Sequence, residues 1–190
     1  MDCSFSQALR QPYKEKRATW RTHVLVILVS LLGGALGILG AFVSEVRAGG
    51  LLLGVFIGAP VIEEALKPIG VYLSLVKWPE ALRSRLYTAL LCAGGGLVFG
   101  IIEALVYLYV YVPDHTRRFE LYRLTIPLAV HALASYTVGL GLDRRIVGVV
   151  NRGDPLPKET RNFYVAGVAI HAIFNTTVTI IAVAGLVDFQ

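Results

Sequence analysis

Cysteine is almost missing from this chain. Cys3 falls in a basic N-terminal stretch and Cys92 inside an apolar run, so neither is placed for a stable disulfide. No C-x-x-C occurs, which removes a thiolate metal site. Charge is scarce as well. Asp, Glu, Lys and Arg make up 16% of the residues against 55% hydrophobic, with a mean hydropathy of +0.64. A water-soluble domain of 190 residues cannot cover that much apolar surface. Short alternating segments are lacking too, which excludes a membrane β-barrel. Low-complexity tracts are absent, and no stretch is polar enough to form a separate soluble domain.

What is present is a series of apolar runs of about 20 residues, each long enough to cross roughly 30 Å of hydrocarbon as a helix. Five are read, at 23–46, 50–76, 86–112, 124–142 and 162–187. The expected fold is therefore all-α, a polytopic transmembrane helix bundle with its polar site in the interior. Residues 1–22 form a basic arm and 23–190 a single membrane domain. A signal peptide is the competing reading of the first run, but that run is longer than a typical signal core and no small-residue cleavage site follows promptly. The connections at 10–21, 77–85 and 144–161 carry thirteen Lys and Arg, against four on the other side: Arg47, Arg117, Arg118 and Arg123. This bias predicts a cytoplasmic N-terminus and an extracytoplasmic C-terminus in a cell membrane. Basic loops beside anionic lipid account for the net charge of +5, with no nucleic-acid partner required.

Against this background the decapeptide APVIEEALKP, 59–68, stands out, because it places Glu63, Glu64 and Lys67 inside a span. Three further ionisable groups lie in other spans: Glu103, His131 and His171. At about 1.5 Å per residue from the outer boundary, Glu63 lies roughly 20 Å deep, Glu103 roughly 14 Å, His131 roughly 11 Å and His171 roughly 24 Å. Four helices thus bring acids and imidazoles into the middle and outer half of the membrane, where such groups face the bundle interior and carry function. Lys67 stands four residues after Glu63 and three after Glu64, within reach of either carboxylate. The two acids, unequally served by one ammonium, form a candidate acid/base pair. Pro60 and Pro68 interrupt the helix on both sides, which is tolerated only in a protein-lined or wet cavity.

Taken singly, many of these residues have ordinary readings. A lone intramembrane His is often an interhelical hydrogen-bond link, and Ser135 and Asn175 read as packing residues. The patches LLGGALGILG and CAGGGLVFG read as close helix contacts, and Tyr107, Tyr109 and Tyr111 as an interfacial belt. The set as a whole is too costly for such roles.

Four motifs recur in order on separate spans: EEALK at 63–67, FGIIE at 99–103, HALAS at 131–135 and HAIFN at 171–175. In this the chain resembles the PrsW family of intramembrane proteases, relatives of the CAAX-protease and bacteriocin-processing superfamily, over about residues 50–187. Lys67 and Glu103 favour the PrsW side, since the CAAX branch carries Arg and His there. Ala104 departs from the Asn that many PrsW-like sequences place after the second-motif Glu. The resemblance implies hydrolysis of a peptide bond within or beside the membrane. Its implied substrate is a membrane-anchored protein, such as the anti-sigma factors that known family members cut.

Two mechanisms stay open under it. In one, Glu63 or Glu64 activates water, while His171, Asn175 and His131 stabilise the oxyanion. In the other, His131, His171 and Glu103, or one of the paired Glu63 and Glu64 in its place, hold zinc and a remaining Glu is the base, although H-E-x-x-H spacing is lacking. A proton- or ion-coupled transporter is the alternative from another class, because broken helices with buried carboxylates also mark carriers. Five spans and no convincing inverted repeat weigh against it. A noncatalytic scaffold gains nothing from burying these groups.

Overall fold

The computed structural model describes residues 17–48 and 58–185. Cys3 and the first sixteen residues of the expected basic arm lie outside that set, as does the Glu45 side chain. The described residues are helical throughout their ordered elements. Helix α1 runs Trp20–Ala48, α2 Ala59–Leu66, α3 Ile69–Lys77 and α4 Arg85–Val106, the last continuing as a wider π turn over Tyr107–Tyr111. Then come α5 Arg117–Arg123, α6 Ile126–Leu140, α7 Arg145–Arg152 and α8 Lys158–Val183.

Local signals explain the boundaries. Ser84 and Thr116 cap α4 and α5 by accepting the amides of Tyr87 and Phe119, each at 3.3 Å. Pro60 and Pro127 sit in the first turns of α2 and α6, where no N–H is needed. Gly153, at φ 69°, closes α7 in the left-handed conformation that glycine adopts without a Cβ penalty.

The bundle is inverted relative to a soluble protein. Leu39, Ile173 and Val183 are 62%, 66% and 83% exposed, whereas Glu63, Glu64, Lys67, Ser135, His131 and His171 are buried. In water this arrangement would be unstable on both counts. In lipid it is the expected one, with apolar side chains against acyl chains and polar groups satisfied internally. Three described helices are long and apolar enough to cross a membrane, or up to four if the pair 117–140 and 145–152, bent by 83°, counts as one span.

Two spans depart from the expectation of one continuous helix each. The segment expected at 50–76 is divided into α2 and α3, of eight and nine residues, with its start outside the described set. The break falls at Lys67–Pro68, because Pro68 has no N–H to give the Glu64 carbonyl; the amides of Val71 and Tyr72 restart the ladder on the Pro68 carbonyl. The fourth span keeps only 15 residues in α6, with α5 stacked before it across a bend at Leu124 and Thr125.

Close packing carries the architecture. Helix α1 crosses α3 and α4, α4 packs on α6, α6 on α8, and short α2 lies between α1, α6 and α8. At the α1 crossings backbone meets backbone. A Cβ at Gly34 would strike the Gly95 carbonyl, and one at Gly70 the carbonyl of Val29. On the other side of α4, Gly96 faces the His131 carbonyl and Ser135, and Gly100 faces the His131 ring. The glycine-rich patches therefore do what their composition suggested. They seat α1 on the bundle and draw the histidine helix against α4.

An apolar core of Val26, Val71, Leu75, Leu91, Cys92 and Leu142, among others, fills one end. The cationic connections gather at that end. Arg85 donates to the Leu140 carbonyl, Arg144 to that of Pro79, and Arg145 pairs with Asp143 and Glu159.

Gly70→Ala should be destabilising by at least the ~1–3 kcal/mol typical of overpacking, since rigid backbone blocks its Cβ. Gly94→Ala, which meets only a Leu31 methyl at 3.1 Å, should be close to neutral. Thermal unfolding of both variants in detergent micelles makes the comparison.

Candidate active site

The site is built from the broken helix outward. Within α2 the turn geometry puts Glu63, Glu64 and Lys67 on inward-facing positions, and Pro68 stops the helix one residue beyond. Lys67 is the end cap, its amide on the Glu63 carbonyl at 2.8 Å, while its side chain folds back among the acids. Its Nζ donates to Glu64 Oε1 at 2.5 Å and lies 3.2 Å from Glu63 Oε2. The ammonium also rests 4.5 Å from the centre of the Phe99 ring, a cation–π contact from α4.

Glu64 is fully enclosed and triply engaged. Besides Lys67, it accepts from Ser135 Oγ at 3.1 Å and from His171 Nδ1 at 3.0 Å. The two imidazoles, one turn deep on α6 and mid-way along α8, meet edge to face with centroids 4.8 Å apart. On His131, Nε2 faces Glu103 Oε2 at 2.7 Å. Glu103 in turn is 3.3 Å from Arg123 Nη2, and the Arg123 guanidinium lies 3.7 Å above the Tyr107 ring.

One atom stands apart. Glu63 Oε2 is buried and has no hydrogen-bond partner. Around it are His171 Nε2 at 3.8 Å and His131 Nδ1 at 4.0 Å, the two ring nitrogens turned away from Glu64 and Glu103. Glu63, His131 and His171 each offer one ligand atom, all within 4.8 Å of one another. Two imidazoles and a carboxylate, each imidazole backed by a second carboxylate on its other nitrogen, are a donor set that suits a divalent metal. A cavity of about 260 Å³ opens beside them, walled by Glu63, Glu103, His131, Arg123, Asn175 and Tyr107 among others. A second, mostly apolar groove of about 480 Å³ between α1 and α4 reaches Glu63 and Glu103 from the lipid-facing side.

The sequence of one family, described as PrsW family intramembrane metalloprotease, matches residues 17–189, nearly the whole chain. The chain belongs to that family. No curated protein and no solved structure matches it. Membership makes it a membrane protein and a peptide-bond hydrolase, and all four motifs fall inside the matched stretch.

The fold brings together Glu63, Glu64, Lys67, Glu103, His131 and His171, which the sequence had singled out across four helices. Asn175, one turn beyond His171, lines the cavity wall. The carboxylate that approaches both imidazoles is Glu63, one of the paired acids that the sequence left open as an alternative to Glu103. The reason is packing. Helix α4 lies against α6, so Glu103 reaches His131, whereas α2 touches both α6 and α8.

Ser135, read as packing, is a direct partner of Glu64. Tyr107 leaves the expected aromatic belt and lines the cavity, because residues two apart on a helix point to nearly opposite faces, while Tyr109 and Tyr111 stay exposed. Arg123 was counted only as a loop charge. Leu124 and Thr125 break the helix between it and His131, so no helical spacing in the sequence reveals it.

Ser135→Ala leaves a buried carboxylate oxygen short of a donor and should be destabilising by about 1–3 kcal/mol. Glu64→Ala strands the Lys67 ammonium and should be worse, about 3–5 kcal/mol. Denaturant unfolding in micelles, followed by circular dichroism, ranks the two.

Proposed function

We propose that this protease cuts a membrane-anchored protein near the outer boundary of a cell membrane. A divalent metal, zinc by its preference for nitrogen and oxygen donors, would be held by Glu63, His131 and His171. Glu63 Oε2, which no hydrogen bond engages, lies between the imidazole nitrogens of His131 and His171 that face away from Glu103 and Glu64, and that convergence carries this reading. When bound, the metal supplies a Lewis acid and a water that ionises more easily.

The chain supplies the rest. Glu103 holds the Nε2 proton of His131, and Glu64 holds the Nδ1 proton of His171, which fixes both ring orientations. Glu64 is sealed and engaged, so the carboxylate left to take the proton of the attacking water is Glu103, which lines the same cavity. Asn175 and Arg123, on the cavity wall, are the donors available to a developing oxyanion. The mostly apolar groove gives a membrane-embedded segment a path to these groups, and the Arg123 side of the site gives water one.

The clustering of basic connections at the opposite end supports a cytoplasmic N-terminus and an active site toward the extracytoplasmic half. A membrane-anchored anti-sigma factor is the substrate class to which the family resemblance points. A second reading has its own support. Lys67 Nζ already sits 2.8 Å from His131 Nδ1, so a metal-independent site with Glu63 as the base is the alternative.

Four measurements test these readings. Cells expressing wild type should shed membrane-protein fragments with new N-termini near the outer boundary, and cells expressing Glu63→Gln should not. Metal analysis of the pure protein should find about one zinc per chain in wild type and Glu103→Gln, and little in Glu63→Gln. Glu103→Gln should nevertheless lose about 10²–10⁴-fold in rate. Full activity of metal-free protein in the presence of chelator would exclude the metal reading and leave Glu63 as the direct base.

A further inference from the structure

Lys67 is the cation at the centre of the cluster. Its Nζ is within 3.4 Å of four groups: Glu64 Oε1, His131 Nδ1, Glu63 Oε2 and His171 Nδ1. His171 Nδ1 already serves Glu64 at 3.0 Å, so with its proton there it offers Lys67 nothing. His131 differs. Its Nε2 is committed to Glu103, which assigns the ring proton to that side and leaves a lone pair on Nδ1. The Lys67 ammonium donates to that lone pair at 2.8 Å. A metal held by Glu63, His131 and His171 needs the same electrons, since the other nitrogen of the ring is taken. It also needs Glu63 Oε2, which Lys67 faces at 3.2 Å. An imidazole nitrogen has one lone pair, and two cations this close repel strongly where water cannot screen them.

We propose that Lys67 and a divalent metal alternate on Nδ1 of His131. This rests on the metal reading given above. On loading, the Lys67 hydrogen bond to His131 breaks and a coordinate bond forms at the same lone pair. The ammonium keeps its three protons and withdraws onto Glu64, which remains its partner at Oε1. Two properties follow. The cluster holds together without metal, because Lys67 already compensates the acids and accommodates His131; a site made of acids and imidazoles alone would depend on metal to fold. Lys67 also weakens metal affinity, which keeps metal exchange reversible.

Zinc is the probe. Isothermal titration calorimetry on the full chain in detergent micelles should show Lys67→Leu binding zinc about 10-fold or more tightly than wild type. The same variant should unfold at a lower temperature without zinc and recover with it, whereas wild type changes less. In a His131→Ala background, Lys67→Leu should bring a clearly smaller gain, because only the cation repulsion and the Glu63 contact are then relieved. Should Lys67→Leu fail to fold, the wild type decides alone: with ¹⁵N-labelled histidine, zinc should move the His131 Nδ1 resonance from a hydrogen-bonded to a metal-bound position. Equal or weaker zinc binding by Lys67→Leu, or an unmoved His131 Nδ1 signal with zinc bound, overturns the exchange and leaves the metal reading standing. Absence of stoichiometric zinc from wild type and Lys67→Leu alike overturns both.

Discussion

A buried ion pair, Lys67 with Glu64, sets the conditions that the surrounding helices must meet. Neither side chain reaches solvent, and removing a charge from water without compensation costs several kcal/mol or more. Each neighbour can be read as part of that compensation. Ser135 and His171 serve Glu64, while His131 takes a second proton of Lys67. His131 then turns to Glu103, and Glu103 to Arg123 near the mouth of the cavity. The result is a continuous line of alternating donors and acceptors across α2, α4, α5, α6 and α8. Against two cations stand three carboxylates, and the surplus is Glu63. That surplus is why Glu63, and not its more tightly bound neighbour, is the acid placed to meet a metal or a water in the proposed readings.

The lipid-facing half of the design follows from the same constraint. Interhelical hydrogen bonds in membranes contribute only about 0.6 kcal/mol on average, so they cannot hold the bundle alone. Backbone contacts at Gly34, Gly70 and Gly95 bring the helices close enough for dispersion to do so. Gly96 and Gly100 do the same beside the site, and without them the His131 helix could not approach α4 closely enough for Glu103 to meet the imidazole. Packing and chemistry are thus linked through residues that carry no chemistry themselves.

Much of this was legible in the sequence because the bilayer simplifies the reading. A span must be long and apolar, so Glu63, Glu64, Lys67, Glu103, His131 and His171 were conspicuous as exceptions. Depths of roughly 11 Å for His131 and roughly 24 Å for His171, counted along straight helices, did not reveal that their ring centroids lie 4.8 Å apart. Pro68 announced the break, and the glycine patches announced the close contacts. What could not be read was which helices touch. That Glu63 and not Glu103 approaches both imidazoles depends on α2 lying between α6 and α8, a three-dimensional fact with no periodicity to reveal it. Arg123 escaped notice for a related reason. Its role depends on α5 stacking above α6, whereas its sequence context is that of an ordinary basic loop. The extent of α3 and the shortness of α6 were hidden by runs whose apolar character continues through bends.

The interruption at Pro68 has an electrostatic consequence of its own. Every α-helix ends in carbonyls that its own amides do not reach, which amounts to about half a negative charge at the C-terminus. In an unbroken span that charge would lie at the membrane surface, spent on water. Because α2 stops at Leu66, its C-terminal pole is set down inside the bundle, at the residue that carries the ammonium. A cation at such a pole is stabilised by about 0.3–1 kcal/mol when exposed, and by up to ~2 kcal/mol when partly buried. The proline therefore does more than bend the chain. It moves a pole of the backbone dipole into the interior of the bundle, where the main chain itself helps to hold a positive charge.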